Sequence, residues 1–312
     1  MKDTIYDLTQ NWLDRDFLIN PFLKDAPFFA SIPMLETNAK LANVTSKVKD
    51  IEVPQVVDFD APLPQIKVSF EKSFAVLGKV GGRMPLGLDK MKLLDDVTAY
   101  INQQLRVIIN KTGQDFDYSY LYAVVKKFCL DNAGTCLTRV LTGQTAETGY
   151  YSMIGSNMRL GENCGLYSPY LNANGQGKLF EIIVPDNGAV TVIKNEKGEE
   201  IYGKELGIQT YLGLQLPRPD RVHALVNIKP SADNGVPTPA QLLDFISTFA
   251  QGDDGDMVFC HPSLINAIRA TYMKDNAHAD FIRWENGAIY IDTVRVIPDK
   301  NMLKGTEAAV VD

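Results

Sequence analysis

Residues 91–111 read MKLLDDVTAYINQQLRVIINK and carry the clearest structural pattern in the chain. The apolar side chains of Leu94, Val97, Ile101, Leu105 and Ile108 recur every three or four residues. This spacing places them on one stripe of a helix about twenty residues long. The stretch therefore predicts a long amphipathic helix with one buried face.

A second helix is predicted directly after the first. Its apolar residues repeat the helical spacing and are Tyr118, Leu121, Tyr122, Val125, Phe128 and Cys129. Glycine is common where a helix stops. Gly113 is therefore expected to separate the two helices, and Gly134 to close the second.

Before the long helix, the chain changes to a two-residue period. NVTSKVKDIEV and IKVSFEKSFAV alternate apolar and polar residues, and the turn-forming VVDFDAPLPQ lies between them. The pattern predicts a long two-stranded ribbon within residues 41–77. An isolated hairpin is marginal in water, so the ribbon is expected to lean on a partner surface.

Residues 1–40 are predicted to form an arm. Ile5, Leu8 and Trp12 have helical spacing, but the following FLINPFLKDAPFFASIP contains three prolines, which a helix interior does not accept. This segment cannot bury its aromatic residues on itself. It is expected to lie across its own domain or across a neighbouring subunit.

Between about residues 135 and 234 the chain is rich in Gly, Asn, Tyr and Thr, with short strands and a turn at KNEKGEEIYG.

The C-terminal third is predicted to be a compact α/β unit. Thr238, Pro239 and Gln241 form the start signal of a helix over LLDFISTF. MVFC is predicted as a buried strand, HPSLINAIRATYM as a helix, and AIYI and VRVI as closing strands.

The composition is that of a packed protein with one large domain or two fused sub-domains: 312 residues, 45% hydrophobic and 22% charged. The 31 Lys and Arg against 38 Asp and Glu give a formal net charge of −7. Without a basic cluster, reading of a nucleic-acid sequence is not expected. No segment reaches the roughly 18 apolar residues that span a bilayer, and no signal peptide is recognised, so a cytoplasmic origin without membrane contact is expected.

No metal or cofactor site is predicted. The four cysteines, Cys129, Cys136, Cys164 and Cys260, lack CxxC spacing and are expected to be reduced core residues. QGDDGDM lacks the regular oxygen ligands of a calcium loop, which favours a solvated turn. GKVGGR and NGQGK lack the spacing of a phosphate loop and are expected to be turns or flexible loops.

No catalytic residue is predicted either. Cys260 and His261 are adjacent on a strand, so their side chains diverge, and His261 is expected to cap a helix or to pack. His223 has no partner at ligand spacing. GxSxG, HExxH and paired catalytic carboxylates are absent.

The N-terminal half resembles the major capsid proteins of tailed bacteriophages, which have the Hong Kong 97 fold. LINPFLKDAPFFASIPM is similar to the N-terminal arm of that family. ETNAKLANVTSKVKDIEV followed by IKVSFEKSFAVLGKV resembles its extended loop, which leads into a long spine helix. Here the spine helix is MKLLDDVTAYINQQLRVIIN.

The C-terminal half carries the same resemblance, most closely to the short-tailed-phage branch. KNEKGEEIYGKELGIQTYLGLQLPRPDRVHALVNIK is similar to a capsid segment with a polar turn, and MVFCHPSLINAIRATYM and AIYIDTVRVIPDKNMLKGTEAAVV resemble the end of the axial domain. The matching positions in the first of these segments are Gly198, Gly213, Leu214, Asp220, Arg221, Asn227 and Ile228.

The resemblance implies an α+β capsid protomer in four parts. These are an N-terminal arm (1–40), an extended β-ribbon loop (41–77), a peripheral domain with the spine helix (78–145), and an axial α/β domain (146–312) from which strands return to the peripheral domain. The implied function is self-assembly, as hexamers and pentamers, into an icosahedral phage head around double-stranded DNA. The implied location is the virion, assembled in the host cytoplasm.

The implied partners are other copies of the chain, together with portal, scaffolding and decoration proteins, and packaged DNA held by non-specific contact. Contacts between subunits are expected from the arm and the ribbon. The candidate residues are Trp12, Phe28, Phe29, Lys47, Lys49, Asp58, Asp60, Lys67 and Lys72.

Two other functions stay open on the sequence. One is another phage structural subunit, such as a tail tube or sheath protein. The other is a cytoplasmic enzyme with a site in the Gly- and Tyr-rich middle region. A water-accessible pocket that unites His223 or His261 with acidic side chains would favour the enzyme.

Overall fold

The computed structural model describes residues 25–38, 42–51, 68–145, 147–158, 165–171, 179–183, 189–195, 197–216, 218–252, 255–274 and 280–311. Its strands, in chain order, are β1 (Met34–Glu36), β2 (Ala42–Ile51), β3 (Val68–Val76), β4 (Gly78–Gly87), β5 (Leu137–Arg139), β6 (Thr148–Asn157), β7 (Gly165–Ser168), β8 (Glu181–Ile183), β9 (Thr191–Lys194), β10 (Glu200–Gln215), β11 (Val222–Ile228), β12 (Asp256–Cys260), β13 (Ile282–Glu285), β14 (Ala288–Ile291), β15 (Val294–Pro298) and β16 (Glu307–Ala308). Its helices are α1 (Pro27–Ser31), α2 (Leu88–Leu93), α3 (Val97–Ser119), α4 (Lys127–Asp131), α5 (Ala133–Cys136), α6 (Pro239–Phe249) and α7 (Pro262–Tyr272), with a π-helical segment at Tyr120–Lys126 and a 3-10 turn at Pro219–Arg221.

The long helix begins later and ends later than its sequence pattern predicts. Asp96 caps α3 by accepting a hydrogen bond from the Ala99 N–H at 2.9 Å. The helical backbone then runs through the π-helical segment into α4 and ends at Asp131. The break predicted at Gly113 is therefore wrong. Gly113 is buried within the helix, where packing of the continuous apolar stripe outweighs its cost of about 1 kcal/mol.

The described strands form two sheets and a separate hairpin. The smaller sheet has the order β1-β7-β10-β4, with β8 and β9 also pairing with β10. The large sheet has the order β13-β14-β15-β12-β6-β11-β5, with β16 pairing with β6. The hairpin consists of β2 and β3 and is the ribbon predicted from the two-residue period.

The long strand β10 pairs antiparallel with β4 from Gly203↔Gly87 to Leu212↔Gly78. GKVGGR lies in β4, so it is a paired strand and the prediction of a turn or flexible loop was wrong. Glycine is required at position 81, because a Cβ there would lie 2.1 Å from the carbonyl oxygen of Ile208. The two strands approach too closely for any other residue.

The large sheet is covered on both faces. Ile154 and Phe259 point toward a core shared with α3. Met153 and Val258 each come one residue earlier on the same strands. Because successive side chains of a strand point to opposite faces, they point toward α6 and α7. The predicted start of α6 is confirmed, because Thr238 and Gln241 form a reciprocal capping box.

Helix α1, in the described part of the arm, contributes two aromatic residues to the same core. Phe28 and Phe29 of α1 are fully buried, and their rings make edge contacts with Phe259 and Phe116 respectively. The prediction that these two residues contact a neighbouring subunit is therefore corrected. Burial against α3 and the large sheet of their own chain leaves them no surface to offer. Among the described residues, no helix is both long and apolar enough to cross a membrane.

Candidate functional site

The ribbon of β2 and β3 is anchored at its base. The side chain of Asn38 accepts a hydrogen bond from the Val44 N–H at 2.8 Å and donates one to the Val44 carbonyl. On the other strand, buried Leu77 joins β3 to β4, which in turn pairs with β10. The base is thereby tied to the smaller sheet, while both edges of the hairpin have no other partner strand within the described part of the chain.

Some of the predicted contact residues lie on the described part of the ribbon, and others lie outside the described residues. Lys72 lies on β3, exposed, opposite Ser46. Lys47 lies on β2 opposite Glu71, and Lys49 falls where the register shifts between Val48 and Asp50, which makes it the extra residue of a β-bulge. The predicted contacts Trp12, Asp58, Asp60 and Lys67 lie outside the described residues.

Asp117 on α3 holds the arm to the body of the protein. Its carboxylate accepts hydrogen bonds from the N–H groups of Phe28 and Phe29, at 3.3 and 3.1 Å, and so supplies the first turn of α1 with an acceptor. It also accepts from Asn301 Nδ2 at 3.2 Å, and the same amide donates to the carbonyl oxygen of Asp25 at 2.7 Å. Three distant segments of the chain meet at this one carboxylate.

Asp299 completes this junction. Its Oδ1 accepts a hydrogen bond from the Asn301 N–H at 2.8 Å, and its own N–H donates to the Cys260 carbonyl at 2.9 Å. Burial, followed by the charge of the neighbouring Asp299, raises the pKa of Asp117 to about 8. Burial also raises the pKa of Asp299. The raised pKa values favour a protonated carboxyl group at this junction at neutral pH, because two like charges buried side by side repel each other.

A second buried cluster joins the π-helical segment to the C-terminal strand. Lys126 Nζ lies 2.5 Å from Glu307 Oε2 and donates to Ser152 Oγ at 2.9 Å. Ser152 Oγ and Tyr122 OH both donate to the Glu307 carboxylate, at 2.5 and 2.6 Å. Burial, followed by the Glu307 charge, raises the pKa of Tyr122, which therefore stays a hydrogen-bond donor. The buried charge is paired and the polar groups around it are satisfied.

The two histidines considered for catalysis have structural roles. His261 caps α7 through Nδ1, which accepts from the Ser263 N–H at 3.1 Å, as its position predicts. His223 is buried, with Nε2 2.9 Å from Thr138 Oγ1 and its ring against Phe245. Burial lowers the pKa of His223 to about 4, so its ring is neutral. The His261 ring is thus held by its own helix start, and the His223 ring by side chains of β5 and α6.

The loop that resembled part of a cation site is closed by its own aspartate. Asp256 accepts hydrogen bonds from the N–H groups of Gln251 and Gly252, at 3.0 and 2.7 Å for the closer contacts, and from Asn157 Nδ2 at 2.5 Å. These bonds organise the turn before β12. Within the described ranges, no three His, Cys, Asp or Glu side chains are grouped so that they could hold a metal ion.

The outer surface displays large apolar side chains. Those at least 45% exposed are Leu93, Val107, Val190, Val192, Tyr202, Leu243, Met273, Trp284 and Val311. Val192 and Tyr202 lie on β9 and β10 in the smaller sheet, whereas Trp284 lies on β13, the terminal strand of the large sheet. Surface residues of this kind are the material from which subunit contacts are made.

Sequence reasoning missed the two buried clusters. The sequence did contain a signal: two charged residues lie at or beside the apolar stripe of the helix. Asp117 is one turn before Leu121, and Lys126 directly follows Val125. A charged residue next to such a stripe needs a buried partner. The partners, Asp299 and Glu307, are more than 180 residues further along the chain, and periodicity gives no information about contacts at that distance.

The fold has been seen in solved structures. No family model matches the sequence, and no curated protein matches it. The structure of bacteriophage epsilon15 is similar over 90% of this chain and 88% of the other, with a TM-score of 0.57 and 10% identity. The bacteriophage JBD30 capsid is similar over 88% and 90%, with a TM-score of 0.55 and 10% identity, and the JBD30 capsid decorated with minor capsid protein trimers has a TM-score of 0.50 and 9% identity over the same shares.

This likeness extends well beyond any single sheet or helix, because it covers about nine-tenths of each chain. At such low identity, what the two chains share is the path of the backbone and not a set of residues. The α+β class predicted from the sequence is confirmed. The chain has the Hong Kong 97 fold of phage capsid proteins.

Proposed function

We propose that this chain is the major capsid protein of a tailed bacteriophage, which self-assembles into an icosahedral head around double-stranded DNA. The observation that carries the proposal is the likeness to the epsilon15 and JBD30 structures over at least 88% of each chain. A match of this extent takes in the whole architecture of the protomer and not one shared motif. The role is structural, and the proposal includes no catalytic step and no cofactor.

The ribbon supports the proposal. A shell subunit works through wide contacts that repeat around a symmetry axis. The β2–β3 hairpin is tied down at its base and carries Lys72 on an exposed position. We assign Lys47, Lys49 and Lys72 to contacts with a neighbouring copy, and keep Trp12, Asp58, Asp60 and Lys67 as further candidates for such contacts.

The proposed partners are copies of the chain, as hexamers and pentamers, in a virion assembled in the host cytoplasm. The decorated JBD30 capsid supports adding a decoration protein to this set, and portal and scaffolding proteins follow from the role of a phage head. Contact with DNA is proposed to be weak and independent of sequence, because the net charge is −7. Tight, sequence-dependent binding by the free subunit in a gel-shift assay would contradict this part.

The test is assembly of the purified chain, followed by sedimentation velocity and negative-stain electron microscopy over a range of salt and protein concentration. We expect capsomers and closed shells. Small monodisperse species under every condition would contradict the proposal. Tubes or rings that never close would favour a tail tube or sheath protein instead.

The ribbon contact is tested with Lys72→Glu, compared with Lys300→Glu as a matched control on an exposed lysine outside the ribbon. We expect Lys72→Glu to lower the assembled fraction, with a larger loss at low salt, because exposed charge pairs are screened as salt rises. The control is expected to assemble like the natural chain. Equal assembly of both variants at all salt concentrations would remove Lys72 from the contact.

A further inference from the structure

The free end of the large sheet carries a compact group of side chains with no partner element beyond them in the described part of the chain. Trp284 on β13 is 52% exposed, and the guanidinium carbon of Arg269 on α7 lies 5.4 Å from the centre of its ring. Met273, one helical turn beyond Arg269, is 59% exposed, and Lys274 follows it on the surface. These four residues are called the Trp284 patch.

The composition of the Trp284 patch is that of a contact centre. Trp, Met and Arg are enriched in the buried middle of protein interfaces, and Trp and Arg dominate binding energy there. Among the residues that the structure describes, no carboxylate pairs with Arg269 or Lys274, so both positive charges face outward. β13 is also the terminal strand of the large sheet, and no described strand pairs with its outer edge.

A complementary surface lies toward the other end of the same sheet. α6 packs over β11 and β6, whereas the Trp284 patch adjoins β13. On its outer side α6 presents Leu243, 46% exposed, and Asp244, also exposed. The apolar Leu243 side chain suits contact with Trp284 and Met273. The Asp244 carboxylate has the charge opposite to that of the two cations of the patch.

We propose that the Trp284 patch of one copy docks against Leu243 and Asp244 on α6 of a second copy. The two surfaces are different and lie toward opposite ends of one sheet, so the contact is head to tail, and repeated contacts of this kind form a ring where the rotation between copies closes. The proposal rests on the proposed function, which supplies a ring of identical subunits, and it assigns the residues that join one subunit of the ring to the next.

Charge reversal on each side tests the contact. Arg269→Glu places a carboxylate against Asp244, and Asp244→Arg places a cation against Arg269. We expect each single variant to raise the concentration needed for half-maximal assembly at least tenfold, which is about the effect of losing one contact-centre residue. Trp284→Ala is expected to have a similar effect. Arg295→Glu, which makes the same charge change on the face of the sheet opposite Val294 and Val296, is the matched control and is expected to assemble normally.

Restoration distinguishes this contact from a general loss of folding. A chain that carries both Arg269→Glu and Asp244→Arg again has opposite charges at the contact, with the negative charge now on the patch and the positive charge on α6. This double variant is expected to assemble. An equimolar mixture of the two single variants is expected to associate in sedimentation velocity, because every contact between unlike copies joins opposite charges. A five-membered ring cannot alternate two variants, so closed shells are expected from the double variant only. Thermal unfolding by circular dichroism of each variant verifies that the subunit is folded.

The outcomes separate the two proposals. Normal shells from the natural chain and from Trp284→Ala, Arg269→Glu and Asp244→Arg alike would overturn the docking surface and leave the proposed function standing. Loss of assembly in the single variants, with neither shells from the double variant nor association in the mixture, would also overturn it, since the patch would then meet a different surface. Failure of the natural chain to form shells contradicts the proposed function, and association of the mixed variants in sedimentation velocity then decides the contact by itself.

Discussion

The carboxyl groups of Asp117 on α3 and Asp299 after β15 are neighbours in the protein interior, where burial raises the pKa of both. Around them, the N–H groups of Phe28 and Phe29 and the amide of Asn301 donate to Asp117. The first turn of α1, the helix α3 and the segment after β15 are therefore held by one hydrogen-bonded group. Its strength depends on the protonation of that group.

Stability is expected to fall as pH rises from about 4 to about 8. The pKa of Asp117 is raised from 3.8 to about 8, first by burial and then by Asp299. Between these values the folded chain holds a proton that the unfolded chain has released, so the free energy of unfolding decreases with rising pH and this contribution levels off above about pH 8. Urea denaturation of the unassembled subunit at several pH values measures the slope.

Asp117→Asn is the control for that slope, because the amide keeps the shape of a protonated carboxyl group and does not titrate. We expect a shallower fall in the free energy of unfolding between about pH 4 and about pH 8 than in the natural chain. Asp117→Ala removes the acceptor for two buried N–H groups and is expected to cost about 2–4 kcal/mol. An Asn variant with the same slope as the natural chain would show that Asp117 is not the titrating group.

Removal of one member of the Lys126–Glu307 pair is expected to cost about 3–5 kcal/mol, because the other charge is left buried without a counter-ion. The side chains of this pair are only 10% and 3% exposed. Lys126→Met tests one side and Glu307→Leu the other, by denaturant unfolding with circular dichroism detection.

The double variant Lys126→Met, Glu307→Leu is the comparison for the same pair. It removes both charges, so it is expected to be more stable than Lys126→Met alone. Tyr122 and Ser152 then lose their acceptor, which keeps the double variant below the natural chain. Strict additivity of the two losses would mean that the ion pair contributes nothing as a pair.

Gly155→Ala is expected to destabilise the large sheet by about 1–3 kcal/mol through overpacking. A Cβ at Gly155 on β6 would lie 2.0 Å from the ring of Phe249, which is fully buried at the end of α6. The ring is packed within the core between α6 and the sheet, where a displaced side chain must push against its neighbours. Thermal unfolding measures the loss of stability. Gly252→Ala is the comparison, because a Cβ at Gly252 meets no atom and the only cost there is the backbone strain of φ +78°.

Thr238→Ala is expected to cost about 1 kcal/mol, since it removes the acceptor for the Gln241 N–H at the start of α6. Thr248→Ala, on the same helix, removes only a hydroxyl that bonds back to the Asp244 carbonyl, and it is expected to change stability far less. Equal losses in the two variants would show that the capping box does not stabilise the helix.

Local patterns predicted many elements of this fold correctly, and the reason is that each has a local cause. The capping box at Thr238, the cap at His261 and the strand over Met257–Cys260 depend on neighbours within a few residues. Gly113 was mispredicted because a local stop signal lost to the packing of a stripe that continues beyond it. Phe28 and Phe29 were assigned to a neighbour because sequence cannot say which surface an apolar segment covers.

The amino-acid sequence by itself determined the α+β class, the ribbon, the long amphipathic helix and the resemblance to phage capsid proteins. Periodicity, caps and turn residues act over short distances and leave a trace in the order of residues. Tertiary structure alone decided that Asp117 meets Asp299, that Lys126 meets Glu307, and that Trp284 stands at the free end of a sheet. Those relationships join residues brought together only by chain folding, so their energies depend on burial and not on sequence spacing.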